Sequence, residues 1–338
     1  MTWRYGVWSA RHTLPLGVGK VAPLAAKVHA GDVIAVGTMY GQPVRVSVAR
    51  RLGVGVAELE GILRVPLGGE VQRGALLART GKRFARAVSA PIDGRVAHIR
   101  SNGDVEIAPI VGRWTVRSTL DGTVSASDDT TVTVDGAAWC LQGLAGYGAD
   151  AIGELGLAVD GPSDELLPAR VDVRQRERIL FGGGRSSAEA IARAHACGVA
   201  GIVAGAVPAG GLRVVFGDGV GAHGLPARGD APTVLCLLGF GHAPLPSQLF
   251  QPLAAFAGQR ASIHTATARL FVFAPADFAS ATVAPRPASL ALQNDWGGLR
   301  PVEGAASVTA ETSFPSEVVG PAVVTDEGAV PAANVRAL

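Results

Sequence analysis

Cysteine, lysine and aromatic residues are scarce in this sequence, and it contains no long hydrophobic run. The three cysteines lie far apart without a Cys-x-x-Cys pair, which excludes a disulfide scaffold and disfavours an iron–sulfur redox subunit. No apolar stretch reaches the length of a membrane-spanning helix, and the N-terminal segment lacks the continuous apolar core of a signal peptide. We therefore expect a cytoplasmic protein that does not insert into a membrane.

Glycine, proline and small apolar residues are abundant. Apolar residues make up 48% of the chain, which is ample for a buried core, and 45 glycines with 21 prolines favour short strands joined by tight turns. Residues 1–118 carry 17 Lys or Arg against 7 Asp or Glu, and residues 119–338 carry 13 against 21. The basic first part can therefore attract an acidic partner, or dock on another domain or on a second copy of the chain.

A loose repeat occupies the first 125 residues. The segment 28–35 is echoed by 67–78, and the segment 89–96 is echoed by 118–124. Each unit places a Gly-Asp, Gly-Glu or Asp-Gly pair before alternating apolar residues. These residues tolerate the backbone of a tight turn, and the alternation buries one face of a short strand. The repeat predicts a β domain over residues 1–112, followed by a β extension at 113–149.

The phrases of this repeat resemble those of the biotinyl- and lipoyl-like family, whose fold is the barrel-sandwich hybrid. The resemblance covers about residues 60–110 and includes the phrase Ala-Pro-Ile-Asp-Gly-Arg-Val at 90–96. In carrier members of that family, a hairpin lysine between two methionines bears the cofactor. Lys82 lies near this place, but no methionine flanks it. The resemblance therefore implies a structural or docking module without a cofactor.

Residues 150–276 change to alternating strands and helices, and they predict a small α/β domain. Segment 178–181 predicts a buried strand, and segment 199–204 predicts a second strand parallel to it. A helix between them is expected to begin at a capping box formed by Ser186 and Glu189. The whole segment predicts a β-α-β unit.

A second pattern of strands and a helix follows the first. It predicts strands at 212–216, 233–238, 261–264 and 270–273, and a helix at 247–256. Pro252 falls inside the helix pattern, and proline removes a backbone donor and clashes with the preceding turn. We therefore expect the helix to kink or to split in two at Pro252.

Residues 285–338 return to short strands and turns, and they resemble an SH3-like or KOW-type barrel. The whole chain resembles a group of bacterial multi-domain proteins with a barrel-sandwich start and a KOW-like end. The predicted fold class is therefore α+β and multi-domain, with an N-terminal barrel-sandwich hybrid, a central α/β domain with β-α-β units and a C-terminal SH3-like barrel.

The first candidate ligand site is the glycine-rich loop before the first predicted helix. Its residues are Gly182, Gly183, Gly184, Arg185 and Ser186. Glycines let the backbone approach a ligand, a helix N-terminus favours an anion, and Arg185 can add a bidentate contact to phosphate or carboxylate. The spacing matches neither the Walker nor the dinucleotide motif. Anion binding and an ordinary strand-to-helix turn both remain open.

The second candidate is the loop of Gly239, Gly241 and His242, which follows a strand where α/β sheets place their ligands. His242 can act as a general base or bind a ligand, or it can be an exposed loop residue. The seven histidines show no metal-ligand spacing along the chain, and no serine lies in a Gly-x-Ser-x-Gly motif. We therefore predict no metal site and no catalytic residue; catalysis stays open, with a non-catalytic role favoured.

Basic residues cluster between positions 79 and 100 and form a predicted basic docking patch. They are Arg79, Lys82, Arg83, Arg86, Arg95 and Arg100. Alternate members of a β hairpin share a face, which can bind a protein surface or nucleic acid, or can simply be solvated. We expect a scaffold or adaptor that docks a protein partner through this patch. The alternatives are an α/β enzyme or regulatory domain that binds phosphate or a nucleotide at 182–186, and a nucleic-acid-associated factor.

Overall fold

The computed structural model describes residues 1–81, 85–226, 230–284, 289–293, 298–304, 322–326 and 328–338. Strands dominate the described residues and form several sheets, whereas helices are few and short. The expectation of a β-rich chain with some helices is therefore confirmed at this level. None of the helices in these ranges is long and apolar enough to cross a lipid bilayer.

The described strands and helices have the following bounds. The strands are β1 Thr2–Thr13, β2 Val18–Val21, β3 Lys27–Val28, β4 Val33–Tyr40, β5 Val44–Val46, β6 Glu70–Val71, β7 Leu76–Arg79, β8 Ala87–Ser89, β9 Gly94–Ile99, β10 Val105–Arg117, β11 Gly122–Ser127, β12 Thr131–Gln142, β13 Ala145–Gly148, β14 Ala151–Leu157, β15 Glu165–Leu166, β16 Arg178–Phe181, β17 Arg185–Ser186, β18 Gly201–Val207, β19 Gly224–Pro226, β20 Val234–Phe240, β21 Arg260–His264, β22 Arg269–Val272, β23 Thr282–Val283, β24 Leu290–Gln293, β25 Leu299–Val302, β26 Ala322–Thr325, β27 Gly328–Pro331 and β28 Val335–Ala337. The helices are α1 Val48–Leu52, α2 Val56–Ile62, α3 Ala188–Ala196, α4 Ala209–Phe216 and α5 Ser247–Ala255.

One large sheet contains thirteen of the described strands. Its order is β19-β13-β20-β18-β16-β14-β21-β22-β12-β1-β23, with β11 beside β12 and β3 beside β11. β14, β16, β18 and β20 run parallel to their neighbours in this group. Every residue of β18 is buried. A strand that is covered on both faces needs no polar alternation, which explains its continuous apolar sequence.

Helices cover both faces of the parallel region. Ile179 and Phe181 of β16 pack in a core with Leu249 and Leu253 of α5, whereas Leu180 packs in a second core with residues of α3 and α4. Successive side chains of a strand point to opposite faces, so β16 contributes to both cores. The predicted unit of strand, helix and parallel strand is confirmed for β16, α3 and β18.

Helix α3 begins one residue later than its predicted cap. Ser187 is the N-cap, and its Oγ accepts a hydrogen bond from Ala190 N at 3.2 Å. Ser186 lies in β17, where it is buried and its Oγ donates to Gly182 O at 3.4 Å. The predicted capping box of Ser186 and Glu189 is therefore wrong, because the first of two successive serines belongs to a strand and the second caps the helix.

Residues 209–216 form helix α4, so the prediction of a strand at 212–216 is wrong. Leu212 is buried while Val214 is 80% exposed. This segment connects β18 and β20, which are parallel neighbours and therefore need a crossover between them. A short helix supplies that crossover and buries one side of itself against the sheet.

Helix α5 continues across Pro252 as one helix, so the predicted split is wrong. Leu249 and Leu253, which lie before and after Pro252, are both buried. The packing of these two leucines against the large sheet compensates for the backbone hydrogen bond that proline cannot make.

The repeat in the first 125 residues has a structural counterpart, which begins with the turn near Asp93. Arg73 N donates to Asp93 Oδ1 at 2.7 Å, and Gly74 N donates to Ala90 O at 2.8 Å. β6 pairs with β9 beside this turn, at the glycine that follows the aspartate. The turn at Asp93 and Gly94 therefore accepts hydrogen bonds from the backbone of the earlier turn at Arg73 and Gly74.

The same arrangement recurs at Asp121. Ala30 N donates to Asp121 Oδ1 at 2.7 Å, and Gly31 N donates to Ser118 O at 2.9 Å. β3 pairs with β11 at Gly122, the glycine that follows this aspartate. The predicted internal repeat is therefore confirmed as two copies of one hydrogen-bonded turn unit.

The glycine of each Asp-Gly pair lies against a neighbouring strand. A Cβ added to Gly94 would lie 2.2 Å from Ala108 O, and a Cβ added to Gly122 would lie 2.0 Å from Asp135 O. No side chain fits at these distances, so the close approach of the strands requires glycine at both positions.

The six-stranded sheet has the order β2-β4-β10-β9-β6, with β5 also beside β10. The first half of β10 pairs with β5 and β9, and its second half pairs with β4. β1 instead pairs with β12 along its length, so segments 1–112 and 113–149 both contribute to the large sheet. The described part of 285–338 contains the small sheet β25-β24-β28 and the hairpin β26-β27.

The large sheet curves strongly where it approaches the six-stranded sheet. β1 lies four positions from β14 in the strand order, which corresponds to about 19 Å in a flat sheet. His12 Nδ1 of β1 nevertheless lies 3.4 Å from Asp150 Oδ2, in the residue before β14. The intervening strands therefore bend back and bring the end of β1 to the start of β14.

Candidate functional site

A cleft of about 1320 Å³ opens between the large sheet and the six-stranded sheet. The large sheet contributes the end of β1, the start of β14 and the turn after β21, and the six-stranded sheet contributes β4, β9 and β10. Small-molecule sites commonly measure roughly 300–1,000 Å³. The cleft therefore has room for a ligand of nucleotide size or larger.

Arginines are prominent in the lining of the cleft, which contains Arg11, Arg95, Arg113 and Arg117. Arg95 Nε donates to Gly68 O at 2.8 Å, and its guanidinium lies 5.9 Å from the centre of the Tyr40 ring. Arg117 donates to Gly31 O at 2.6 Å. Both acceptors are carbonyl oxygens, so neither bond neutralises the positive charge.

The cleft carries a net positive charge. The guanidinium groups of Arg11 and Arg113 form no hydrogen bond or ion pair with any residue in the described part of the chain. Asp150 is the one carboxylate among the described lining residues. Set against the four arginines, it leaves a net charge of three positive units. Walls of one charge sign concentrate the field inside a cleft and attract ions of the opposite sign.

Apolar and aromatic surface accompanies the arginines. Leu16, Leu67 and Met39 line the cleft and are 91%, 62% and 46% exposed. The half-buried Tyr40 ring lies beside the Arg95 guanidinium. A cleft with this lining can contact an organic group as well as a charge, which is typical of ligand sites with a few placed polar groups.

Asp150 lies in the short link between β13 and β14. Thr265 donates to Asp150 Oδ1 through its backbone N and its Oγ1, each at 2.9 Å. Burial opposes the ionisation of this carboxyl, but the hydrogen bond from His12 and the charges of His264 and His12 outweigh it, so the pKa of Asp150 lies below its ordinary value. The side chain is 27% exposed and lines the cleft. Asp150 therefore presents an anion there at neutral pH.

His12 lies on the buried face of β1, two residues after the buried Ala10 and two residues before the buried Leu14, which follows the strand. Its side chain is 1% exposed. Nε2 lies 3.4 Å from both N and Oγ1 of Thr119, and Nδ1 lies 3.4 Å from Asp150 Oδ2. Because a backbone N–H can only donate, Nε2 accepts and Nδ1 carries the hydrogen. All these distances exceed those of good hydrogen bonds, so the buried imidazole is loosely held.

His264 ends β21, packs against the His12 ring and has a ring nitrogen within 4.8 Å of an Asp150 carboxylate oxygen. Its Nε2 lies 3.2 Å from Arg11 O, which can only accept, so Nε2 carries the hydrogen and Nδ1 accepts from Thr267 Oγ1 at 2.6 Å. Burial lowers the pKa of His264, although Asp150 opposes this effect. The ring meets the His12 ring edge to face, with centres 5.1 Å apart. Both ring nitrogens of His264 therefore have partners, and the ring packs against His12.

His12, Asp150 and His264 together form one polar cluster at the edge of the cleft. One donor atom of each residue lies within 4.8 Å of the other two. Sequence reasoning misses this cluster because the residues come from three distant segments, and the prediction of no metal site considers only spacing along the chain. The detectable signal is a polar residue on the buried face of a strand, such as His12 between Ala10 and Leu14.

The predicted anion loop at 182–186 lies at the ends of parallel strands, and its backbone is engaged. Gly182 N donates to Val203 O, and Gly184 N donates to Asp164 O, each at 2.8 Å. Arg185 Nε lies 3.5 Å from a carboxylate oxygen of Glu165. The two glycine donors and the charge of Arg185 therefore have partners within the chain, although Arg185 Nε makes no hydrogen bond with the described residues. Anion binding at this loop stays a prediction.

The predicted ligand loop of Gly239, Gly241 and His242 lies beside the anion loop, since Ala243 N donates to Gly184 O at 3.1 Å. A Cβ on Gly239 would overlap Ser289, and Gly241 has a φ of +90°, so both positions require glycine for packing or conformation. His242 is exposed, with Nε2 3.2 Å from Ser163 O. A ligand role for this loop stays a prediction.

The members of the basic docking patch separate in the structure. Lys82 and Arg83 lie outside the described residues. Arg95 lines the cleft, and Arg100 donates to Glu106. Arg79 and Arg86 are exposed at the paired ends of β7 and β8, where Arg79 pairs with Ala87. The described members therefore divide between the cleft, an ion pair and the hairpin.

Comparison with known proteins does not extend these observations. No protein-family model, no curated protein and no solved structure matches the chain. The resemblances to the barrel-sandwich hybrid and to SH3-like barrels stay predictions from the sequence, and functional arguments depend on the site itself.

Proposed function

We propose that this protein binds an organic anion in the cleft between its two main sheets. The observation that carries this proposal is a cleft of about 1320 Å³ whose described lining contains four arginines and one carboxylate. Arginine presents a planar set of donors that matches phosphate and carboxylate groups.

Two of the arginines are available to a ligand without the loss of an existing contact. Arg11 and Arg113 have no side-chain partner within the described residues, so binding an anion does not require breaking a bond first. Arg95 keeps donors free beyond its Nε contact with Gly68 O. The ligand therefore gains charge-assisted hydrogen bonds at little cost to the protein.

The rest of the lining favours an anion with an organic part. Tyr40 offers an aromatic face, and Leu16, Leu67 and Met39 offer apolar surface that is otherwise exposed to solvent. Nucleotides, phosphorylated cofactors and large polycarboxylates combine these properties. A small inorganic ion would leave most of the cleft empty.

Isothermal titration of the full chain tests the proposal, with a panel of nucleotides, sugar phosphates and tricarboxylates. Loss of one arginine contact to an anion costs about 1.5–3 kcal/mol, so Arg113→Ala should weaken binding roughly 10- to 100-fold. Arg51→Ala is the matched control, because Arg51 is exposed on α1 and outside the cleft.

Two results decide the matter. Binding that Arg113→Ala weakens and Arg51→Ala leaves unchanged supports the cleft. Absence of binding by every member of the panel, or equal affinity of both variants, contradicts it.

Docking of a protein partner through the basic docking patch is a second proposal. The exposed Arg79 and Arg86, next to each other at the end of the β7–β8 hairpin, support it. If it holds, Arg79→Glu combined with Arg86→Glu removes a dominant partner from pull-downs of the native host. A salt-sensitive nucleic acid in its place would favour the alternative of a nucleic-acid-associated factor.

The finer architecture is also a proposal. The two copies of the turn unit support a barrel-sandwich hybrid within 1–112, the parallel strands support a central α/β domain at 150–276, and the small sheet of β24, β25 and β28 supports an SH3-like unit within 285–338. An experimental structure in which the turns at Asp93 and Asp121 differ in their bonding would contradict the first assignment.

A further inference from the structure

His12, Asp150 and His264 form a set of donors that the anion-binding proposal does not use. Two imidazole nitrogens and one carboxylate oxygen suit Zn²⁺ and neighbouring divalent transition ions, whereas Mg²⁺ and Ca²⁺ prefer oxygen ligands alone. We infer that these three side chains bind one such ion at the edge of the cleft. This inference goes beyond the anion-binding proposal and does not depend on it.

The spacing of the donor atoms fits one small ion after a modest adjustment. Two ligands held about 2.1 Å from a tetrahedral ion lie about 3.4 Å apart. The distance from His12 Nδ1 to Asp150 Oδ2 is 3.4 Å, and the donor atoms of the three residues all lie within 4.8 Å of one another. The widest pair must approach by at most about 1.4 Å, which small side-chain rotations can supply.

Protein groups already orient two of the three proposed ligands, Asp150 and His264, from behind. Thr265 binds Asp150 Oδ1 through two donors, which leaves Oδ2 for an ion. His264 has one nitrogen on Arg11 O and the other on Thr267 Oγ1. An ion replaces one of these two hydrogen bonds, and the remaining one keeps the ring in place, as carbonyl and hydroxyl groups commonly do for metal-binding histidines.

The loose contacts of His12 are a second, independent observation that supports a ligand here. Its side chain is 1% exposed, yet its contacts with Asp150 Oδ2 and with Thr119 N and Oγ1 are all 3.4 Å long. A buried imidazole normally has shorter partners, because unmet hydrogen bonds are costly away from water. An ion bound at Nδ1 would supply a strong partner. The ring hydrogen then moves from Nδ1 to Nε2, where Thr119 Oγ1, 3.4 Å away, can accept it.

The proposed site keeps a coordination position open toward the cleft. It has three protein ligands, and the Asp150 side chain is 27% exposed in the cleft lining. Sites with three protein ligands leave a position for water or for a bound molecule. A ligand in the cleft can therefore contact the ion directly.

The test uses full-length, tag-free protein that has been stripped of metal. Titration with Zn²⁺ by calorimetry, and with Co²⁺ by visible absorption, should give one site per chain. Asp150→Asn keeps the shape of the side chain but removes its charge, and His12→Ala removes a ligand; each should weaken binding at least 10- to 100-fold. Circular dichroism establishes whether each variant is folded. If His12→Ala does not fold, Asp150→Asn alone decides the test.

Two control variants exclude other donors. His223→Ala removes an exposed histidine outside the cleft, and Cys197→Ser removes the half-buried thiol. Both should keep the affinity of the original protein. No anion is present in this experiment. A negative result for the metal therefore leaves the anion-binding proposal standing, and a failure of anion binding leaves the metal site standing.

The outcomes divide cleanly. One ion per chain, weakened by Asp150→Asn and unaffected by His223→Ala, supports the inference. Absence of a one-to-one site, or binding that Asp150→Asn leaves unchanged, overturns it and leaves the cluster as a hydrogen-bonded structural network.

Discussion

Replacement of Gly122 by alanine probes the repeated turn unit at its tightest point. Gly122 begins β11 and faces β12, and a Cβ there would lie 2.0 Å from Asp135 O and 2.9 Å from Gly136 Cα. Both contacts are with backbone atoms, so no side-chain rotation relieves the overlap. The two strands must separate, and the loop that carries Thr119 and Asp121 must move with them.

The size of the effect follows from the distances. Ordinary van der Waals contact begins near 3.4 Å, so β11 and β12 must move apart by about 1.4 Å. Overpacking of this kind costs about 1–3 kcal/mol, and each backbone hydrogen bond lost from the ladder adds about 1 kcal/mol. We expect a total loss of about 3 kcal/mol, which corresponds to a melting temperature lower by roughly 4 °C in a chain of this size.

Scanning calorimetry of the full chain measures this loss, with Gly112→Ala as the matched control. Gly112 also lies in a strand, but nothing lies within 4 Å of an added Cβ. Gly94→Ala, at the equivalent position of the other turn unit, should behave like Gly122→Ala. If Gly122→Ala melts at the temperature of the original protein, or if Gly112→Ala loses more, the argument for the turn unit is wrong.

Two smaller predictions concern local hydrogen bonds. Bonds from Thr130, and then Thr131, hold the pKa of Asp128 at about 2, below its ordinary value of 3.8. A lowered pKa stabilises the folded state only while the carboxylate is ionised, so Asp128→Asn should lower the melting temperature at neutral pH, and the difference should vanish as the pH falls from about 4 to about 2. A difference that persists at the acid end would contradict this. Ser187→Ala should cost about 1 kcal/mol and speed amide exchange in α3 about fivefold, measured by mass spectrometry; unchanged exchange would reject Ser187 as the cap.

Elements set by neighbouring residues are predictable from this sequence. β16 covers the predicted residues 178–181. The short apolar run at this place, followed by a glycine-rich loop, favours a buried strand. The turn units at Asp93 and Asp121 are visible as a repeat because each is defined by an Asp-Gly pair and its close neighbours.

Where two local readings compete, the surrounding fold decides between them. Residues 212–216 read as a strand by composition, but the crossover between parallel β18 and β20 makes them part of helix α4. Ser186 and Ser187 are both suitable caps, and only the pairing of β17 with β15 assigns the first to a strand.

The candidate site lies beyond local sequence reasoning altogether. His12, Asp150 and His264 meet because the large sheet curves through about four strands, and no pattern along the chain encodes that curvature. Arg95 appears in the predicted basic docking patch for its charge alone, whereas its position beside Tyr40 assigns it to the cleft.

The most direct measurement is a crystal structure of the full chain grown with the tightest-binding anion of the titration panel. We predict that the anion lies in the cleft, with its charged group on the lining arginines, Arg113 among them, and away from the Asp150 carboxylate. An anion bound in the 182–186 loop or on the β7–β8 hairpin, with the cleft empty, would contradict the assignment of function to the cleft.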